Sequence, residues 1–302
     1  MVSARLPRAL LNPDAGNEFI RNAILLGRPC MISRLGTSES NAVLNHIENL
    51  SWKRGGALDR IDTACRGLRN GWDANVIDRL CNNAGFFPGD DASAARFAEL
   101  FLERLCMVDA LGFWGFVPGE RYLFDRCCPG AVPFAAGGLE PFLFQHPWSS
   151  SLESKKVLVI HPFAKSIKAQ YQKRAVLFND SHILPEFELR VIPAVQSLAA
   201  NKTGFGSWFD ALHWMEEEMG REDFEVCLIG AGAYGLPLCS TAKKLGKIGI
   251  HMGGSTQILF GIRGNRWDGM PHILKYYNEH WIRPSEAEGL PAAKKVEQGC
   301  YW

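Results

Sequence analysis

Four short stretches place glycines, hydroxyls and basic side chains where an apolar strand gives way to a helix. In "SRLGTSES" (33–40), Arg34 closes a strand, Gly36 permits a tight turn, and Thr37 and Ser38 are helix-capping types. Unpaired amides at a helix start beside an arginine make an anion site. Glu39 falls in the first helical turn, where it reads either as a residue favoured by the helix dipole or as a metal ligand or general base. In "IHPFAKSI" (160–167), His161 ends a strand and Lys165 and Ser166 open a helix. A histidine titrates near neutrality and serves as a base or a hydrogen-bond donor, although a single one is as readily structural.

"LIGAGAYG" (228–235) carries Gly230, Gly232 and Gly235 between an apolar strand and a helix. Such glycines let backbone amides approach a phosphate and let the helix pack closely. In a dinucleotide site, the next strand ends in an acid that binds the ribose hydroxyls. Here "KIGIH" ends in His251, with Met252, Gly253 and Gly254 following, so the pattern points to a phosphorylated ligand other than NAD. "IHMGGSTQ" (250–257) repeats the second turn: a histidine, two glycines, then Ser255 at a helix start. "GIRGNRW" (261–267) adds Arg263, Arg266 and Trp267, a set that clamps a phosphate and stacks a ring, or a surface arginine beside a half-buried indole.

The elements that must position these residues alternate clearly in the second half. Strands are expected over 156–163, 187–194, 224–230 and 247–254. Helices are expected over "AKSIKAQYQKR", 207–220, 233–246 and from 255. Ser207 and Asp210 form a capping box, and Gly220 is a stop signal. The first half reads as mostly helical, with helices over 17–27 and 91–106 and one strand, "CMIS". "GFFPGDD" (85–91) and "CCPGAVPFAAGGLEP" (127–141) read as loops, the second a sub-boundary near 127–150 within a single domain spanning 1–302. The fold class is α/β: a Rossmann-like, mostly parallel sheet flanked by helices, with a helical N-terminal part. The aromatic, proline-containing last residues are expected to wrap the body, with Tyr301 and Trp302 too apolar to stand in water without a use.

Composition sets the surroundings. The net charge of +1 over 302 residues gives no pull toward nucleic acid or an anionic membrane. No window approaches the ~18–20 apolar residues of a membrane span, and no secretory leader is visible. The nine cysteines, among them Cys65, are scattered without a CxxC pair, which argues against a zinc ribbon and for reduced thiols in a cytoplasmic protein. Homo-oligomerisation is left open.

"RLGTSE" resembles the "RxGDGE"-type motif of the GT-D-type bacterial glycosyltransferases. "LIGAGAYGLPLCSTAKKLGKIGIHMGG" resembles their late strand–helix–strand, which ends in an "IDIGH"-like turn. The two motifs span residues 34–39 and 228–254. The resemblance implies a Rossmann-like domain that moves a sugar from a nucleotide diphosphate donor, UDP-sugar first among them, to a glycan or glycoconjugate hydroxyl in polysaccharide biosynthesis. It places Arg34, Gly36 and Glu39 at the donor diphosphate and Gly230, Gly232, His251 and Gly253 on the opposite wall. With the other turn residues, the expected donor-binding set also holds Thr37, Ser38, Lys165, Ser166, Tyr234, Gly254, Ser255 and Arg266. Glu39, His161 and His251 are the candidate catalytic bases. The family's metal-binding acid pair keeps only Glu39, since Thr37 stands in the first position, so manganese or magnesium would rest on Glu39 and the donor phosphates. The rival readings are a nucleotide-sugar or polysaccharide binding protein on a degenerate transferase fold, and a Rossmann-type oxidoreductase or methyltransferase.

Overall fold

The computed structural model describes residues 12–54, 71–290, 296 and 299–302; Cys65 lies outside them. Seven strands form one sheet: β1 (Cys30–Arg34), β2 (Ala110–Phe113), β3 (Val132–Ala135), β4 (Lys156–His161), β5 (Glu188–Pro193), β6 (Val226–Ile229) and β7 (Ile248–His251). Their order is β3-β2-β1-β7-β6-β4-β5, and every pairing is parallel. The helices are α1 (Pro13–Leu26), α2 (Thr37–Arg54), α3 (Ala74–Ala84), α4 (Asp91–Leu105), α5 (Glu120–Cys127), α6 (Ala164–Tyr171), α7 (Arg174–Leu177), α8 (Trp208–Arg221), α9 (Gly235–Lys244), α10 (Ser255–Leu259) and α11 (Pro271–Leu274). None of the described helices is long and apolar enough to cross a membrane.

Because side chains alternate along a strand, the sheet divides two apolar cores. Met31, Leu158, Ile160, Cys227 and Ile229 face one core, shared with α2, α3, α4, α8 and α9. Ile32, Val157, Val159, Leu228 and Ile250 face the other, shared with α1, α6 and the segment after β7. Burial on both faces explains why the central strands β1, β7, β6 and β4 read as apolar runs.

The second half follows its sequence signals closely. Ser207 caps α8 by accepting from the Asp210 amide at 3.2 Å. The helix runs one residue past Gly220, to Arg221. The first half departs from them. It contributes three strands rather than one, since "ALGF" forms β2 and "VPFA" within the expected 127–141 loop forms β3. Both have four residues, and glycine or proline interrupts each, which hides the strand signal. Proline is tolerated in β3 because it is an edge strand.

The order of the central strands positions the site. The connection after β1 packs on the first core, that after β7 on the second, that after β6 on the first and that after β4 on the second. Adjacent connections therefore splay to opposite faces across β1-β7-β6-β4. Ligands in open α/β sheets bind in such crevices, beyond the carboxyl ends of the strands.

Candidate functional site

Strand register decides which residues reach the crevice. Ile32, Ile250, Leu228 and Val159 lie side by side across the four central strands. Two residues further along, on the same face, stand Arg34, Met252, Gly230 and His161. Arg34, Gly230 and His161 line a cavity there, together with Gly232, Gly253 and Gly254. Six of the residues singled out from sequence thus converge. Sequence reading missed Asn83, Phe163, Gln196, Gln257, Tyr301 and Trp302, which complete much of the lining. Only the apolarity of the last two gave a local signal. The others arrive from helix ends and loops whose approach depends on the tertiary fold.

The two strand-end histidines point to opposite faces. His251 is level with Ile229, which is level with Ile160, so His161 stands one residue further out. His251 therefore turns under α9. Its Nδ1 lies 3.1 Å from Ser33 Oγ, and its buried Nε2 has no partner among the described residues. A methyl group at Gly235 would overlap that nitrogen. The third glycine of "GAGAYG" thus makes room for an imidazole where a dinucleotide site would carry an acid.

His161 turns into the cavity. Its Nδ1 accepts the Phe163 amide at 3.0 Å, which leaves the proton on Nε2. Burial pushes its pKa down to about 3, against a weaker opposing pull from Glu288. Burial, and then Arg34, push that of His251 well below the usual range. Neutral His161 is a hydrogen-bond donor and a poor base at neutral pH.

These depressed values predict acid sensitivity. Above the ordinary value of 6.5, neither imidazole is charged in the folded or the unfolded chain, so neither makes stability depend on pH. Below it, the unfolded chain binds protons that the folded chain refuses, and stability falls by up to ~1.4 kcal/mol per pH unit for each histidine. Urea unfolding at pH 7 and pH 5 is expected to reveal this loss. His251→Asn should remove about 2 kcal/mol of it, and an unchanged pH dependence in that variant would contradict the assignment.

Positive and polar groups line the cavity wall. Arg34 Nη2 packs on Gly253, whose φ of 65° and lack of a side chain both favour glycine. Among the described residues no carboxylate pairs with Arg34; its Nη1 reaches the Leu35 carbonyl at 3.4 Å and its buried Nε has no partner. Opposite it, a methyl group at Gly230 would stand 2.6 Å from the His161 ring and from the Gly253 carbonyl. The amides of Ala231, Gly232 and Ala233 have no acceptor among the described residues. Successive free amides in such a turn form an anion-binding nest. The enclosed space is about 50 Å³, room for a few waters and well short of the ~300–1,000 Å³ of small-molecule pockets.

The other expected residues lie elsewhere. Glu39 is buried at the start of α2 with its carboxylate folded over Gly36, and neither these two nor Thr37 and Ser38 line the cavity. The α6 start is filled by the chain itself. Glu288 accepts from the amides of Lys165 and Ser166 at 2.7 and 3.1 Å and from Ser166 Oγ at 2.5 Å, while the Lys165 side chain is exposed. Ser255 donates to Glu140 Oε1 at 2.5 Å. Tyr234 is buried, stacked 5.0 Å from Trp208 with its hydroxyl 3.2 Å from Ser197 Oγ. Arg266 lies over Tyr301, and Arg263 lies over Tyr277. Trp267 is buried against Gly254 and Gly264. Among the described residues, no three His, Cys, Asp or Glu side chains gather to hold a metal. No protein-family model, curated protein or solved structure matches the chain.

Proposed function

We propose that the chain is a glycosyltransferase that binds the diphosphate of a nucleotide sugar, UDP-sugar first among them, and transfers the sugar to a hydroxyl of a glycan or glycoconjugate in the cytoplasm. The observation that carries this reading is Arg34: a guanidinium without a carboxylate partner among the described residues, held on Gly253 in a cavity that Gly230 and Gly232 also line. A cation beside a glycine turn in one cavity suits a group that gains negative charge. In glycosyl transfer, the bond from the anomeric carbon to the diphosphate breaks, the acceptor oxygen takes its place on that carbon, and the leaving diphosphate gains charge. Arg34, the amides and the Nε2–H of His161 stabilise that charge in a site shielded from water. The acceptor proton needs a base. His161, held neutral, is suited to donate, and His251 is turned away under α9. Glu39, the third candidate, is folded over Gly36 outside the cavity, so among the described residues no carboxylate stands in place as the base or as a ligand for manganese or magnesium.

One observation favours a second reading, a nucleotide-sugar or polysaccharide binding protein: no carboxylate lines the cavity. Thermal unfolding against UDP, GDP, UDP-sugars, NAD(H) and S-adenosylmethionine, each with and without manganese, separates the possibilities. A nucleoside diphosphate at a hundred times its Kd should raise Tm by roughly 5 °C. Donor hydrolysis without acceptor then distinguishes a transferase from a binding protein. A shift with NAD(H) or S-adenosylmethionine alone would overturn the proposal in favour of a Rossmann-type oxidoreductase or methyltransferase.

A further inference from the structure

Two of the side chains that bound the cavity belong to the last residues of the sequence. Tyr301 and Trp302 both line it. Trp302 meets Phe163 edge to face, with ring centroids 6.0 Å apart. Tyr301 lies beneath the Arg266 guanidinium, 4.7 Å from its carbon. Their backbone is anchored by polar contacts: Gln257 Nε2 donates to the Tyr301 carbonyl at 3.2 Å, and Arg283 Nη1 and the Asn265 amide donate to the Trp302 carbonyl at 3.0 and 3.1 Å.

A second anchor is a charge. Glu288 reaches the start of α6, where the amides of Lys165 and Ser166 and the hydroxyls of Ser166 and Ser285 all donate to its carboxylate. Its own carbonyl accepts from Trp302 Nε1 at 3.4 Å. Glu288 therefore occupies a helix start at the carboxyl edge of the sheet through its carboxylate and accepts from the indole that covers the cavity through its backbone carbonyl.

We propose that Tyr301 and Trp302 form a self-docked cover, pinned by Glu288, which a phosphorylated ligand displaces on entering. This rests on reading the cavity as an anion site. The space left with the cover in place cannot admit a nucleoside diphosphate, whereas removal of two aromatic side chains opens the side facing Phe163. The covered form then lowers the apparent affinity by the fraction of molecules that are open.

The test uses inorganic pyrophosphate as the probe, with calorimetry for affinity and hydrogen exchange of residues 299–302 for the cover. Trp302→Ala is expected to tighten pyrophosphate binding on the order of tenfold. In the wild-type chain, pyrophosphate should speed exchange at 299–302. Glu288→Gln leaves every ring in place and should move both readouts in the same direction, which guards against a packing defect caused by loss of the indole. If wild type and both variants bind pyrophosphate equally and exchange at 299–302 is unmoved, the cover is refuted and the anion site stands. If neither the wild type nor Trp302→Ala binds pyrophosphate, the anion site falls, and a ligand-displaced cover falls with it.

Discussion

Gly235→Ala lowers the unfolding free energy by about 3 kcal/mol, the upper part of the range for overpacking a closed core. Helix propensity alone predicts the opposite sign. Gly235 has φ −58° and ψ −50° at the start of α9, where alanine should gain up to ~1 kcal/mol. The added methyl, however, overlaps the His251 ring, which is 2 % exposed and tethered through Nδ1 to Ser33. The ring has nowhere to go without breaking that contact. The measurement is the urea midpoint of Gly235→Ala against the wild type. Adding His251→Ala should restore part of the loss, because the second change removes the atoms that the first collides with; strictly additive losses would refute the steric account.

Arg34→Met weakens pyrophosphate binding by about 2–3 kcal/mol, roughly 30- to 150-fold, the scale of charge-assisted hydrogen bonds lost from a sheltered site. The same change should leave the ligand-free fold as stable as before, or more so. Without ligand, Arg34 keeps a buried Nε without a partner and a charge that no carboxylate among the described residues neutralises, and methionine fills similar space without either cost. Calorimetric titration and urea unfolding on one preparation separate the effects. Affinity lost at constant stability supports a binding role, whereas a collapse in stability would make Arg34 a structural residue.

Local rules carried the reading of the second half because β4, β6 and β7 are buried apolar runs and α8 opens with the Ser207 cap. They failed at β2 and β3, whose few residues give no periodicity to read. The site was legible as a set of turns, and Arg34, His161 and Gly230 do meet. What sequence could not supply was register. His161 and His251 have the same local setting, a strand end before a turn, yet a one-residue offset between β4 and β7 sends one into the cavity and the other beneath a helix. Nor could it reveal that Ser166 and Ser255 are engaged by Glu288 and Glu140, since these partners are more than a hundred residues away in sequence.

Those glutamates have a wider consequence. At the carboxyl edge of the sheet, Glu39 folds over the turn after β1, and Glu120 accepts the amides of Trp114 and Gly115 after β2. Glu288 fills the helix start after β4, and Glu140 binds the serine after β7. The turn after β6 has no such carboxylate among the described residues. Of these five turns, four are occupied by a glutamate of the chain and the turn after β6 is left without one among the described residues. On the function proposed above, the chain's own acids act as an address, leaving the turn after β6, among these five, as the one place where a ligand's phosphate meets no resident carboxylate.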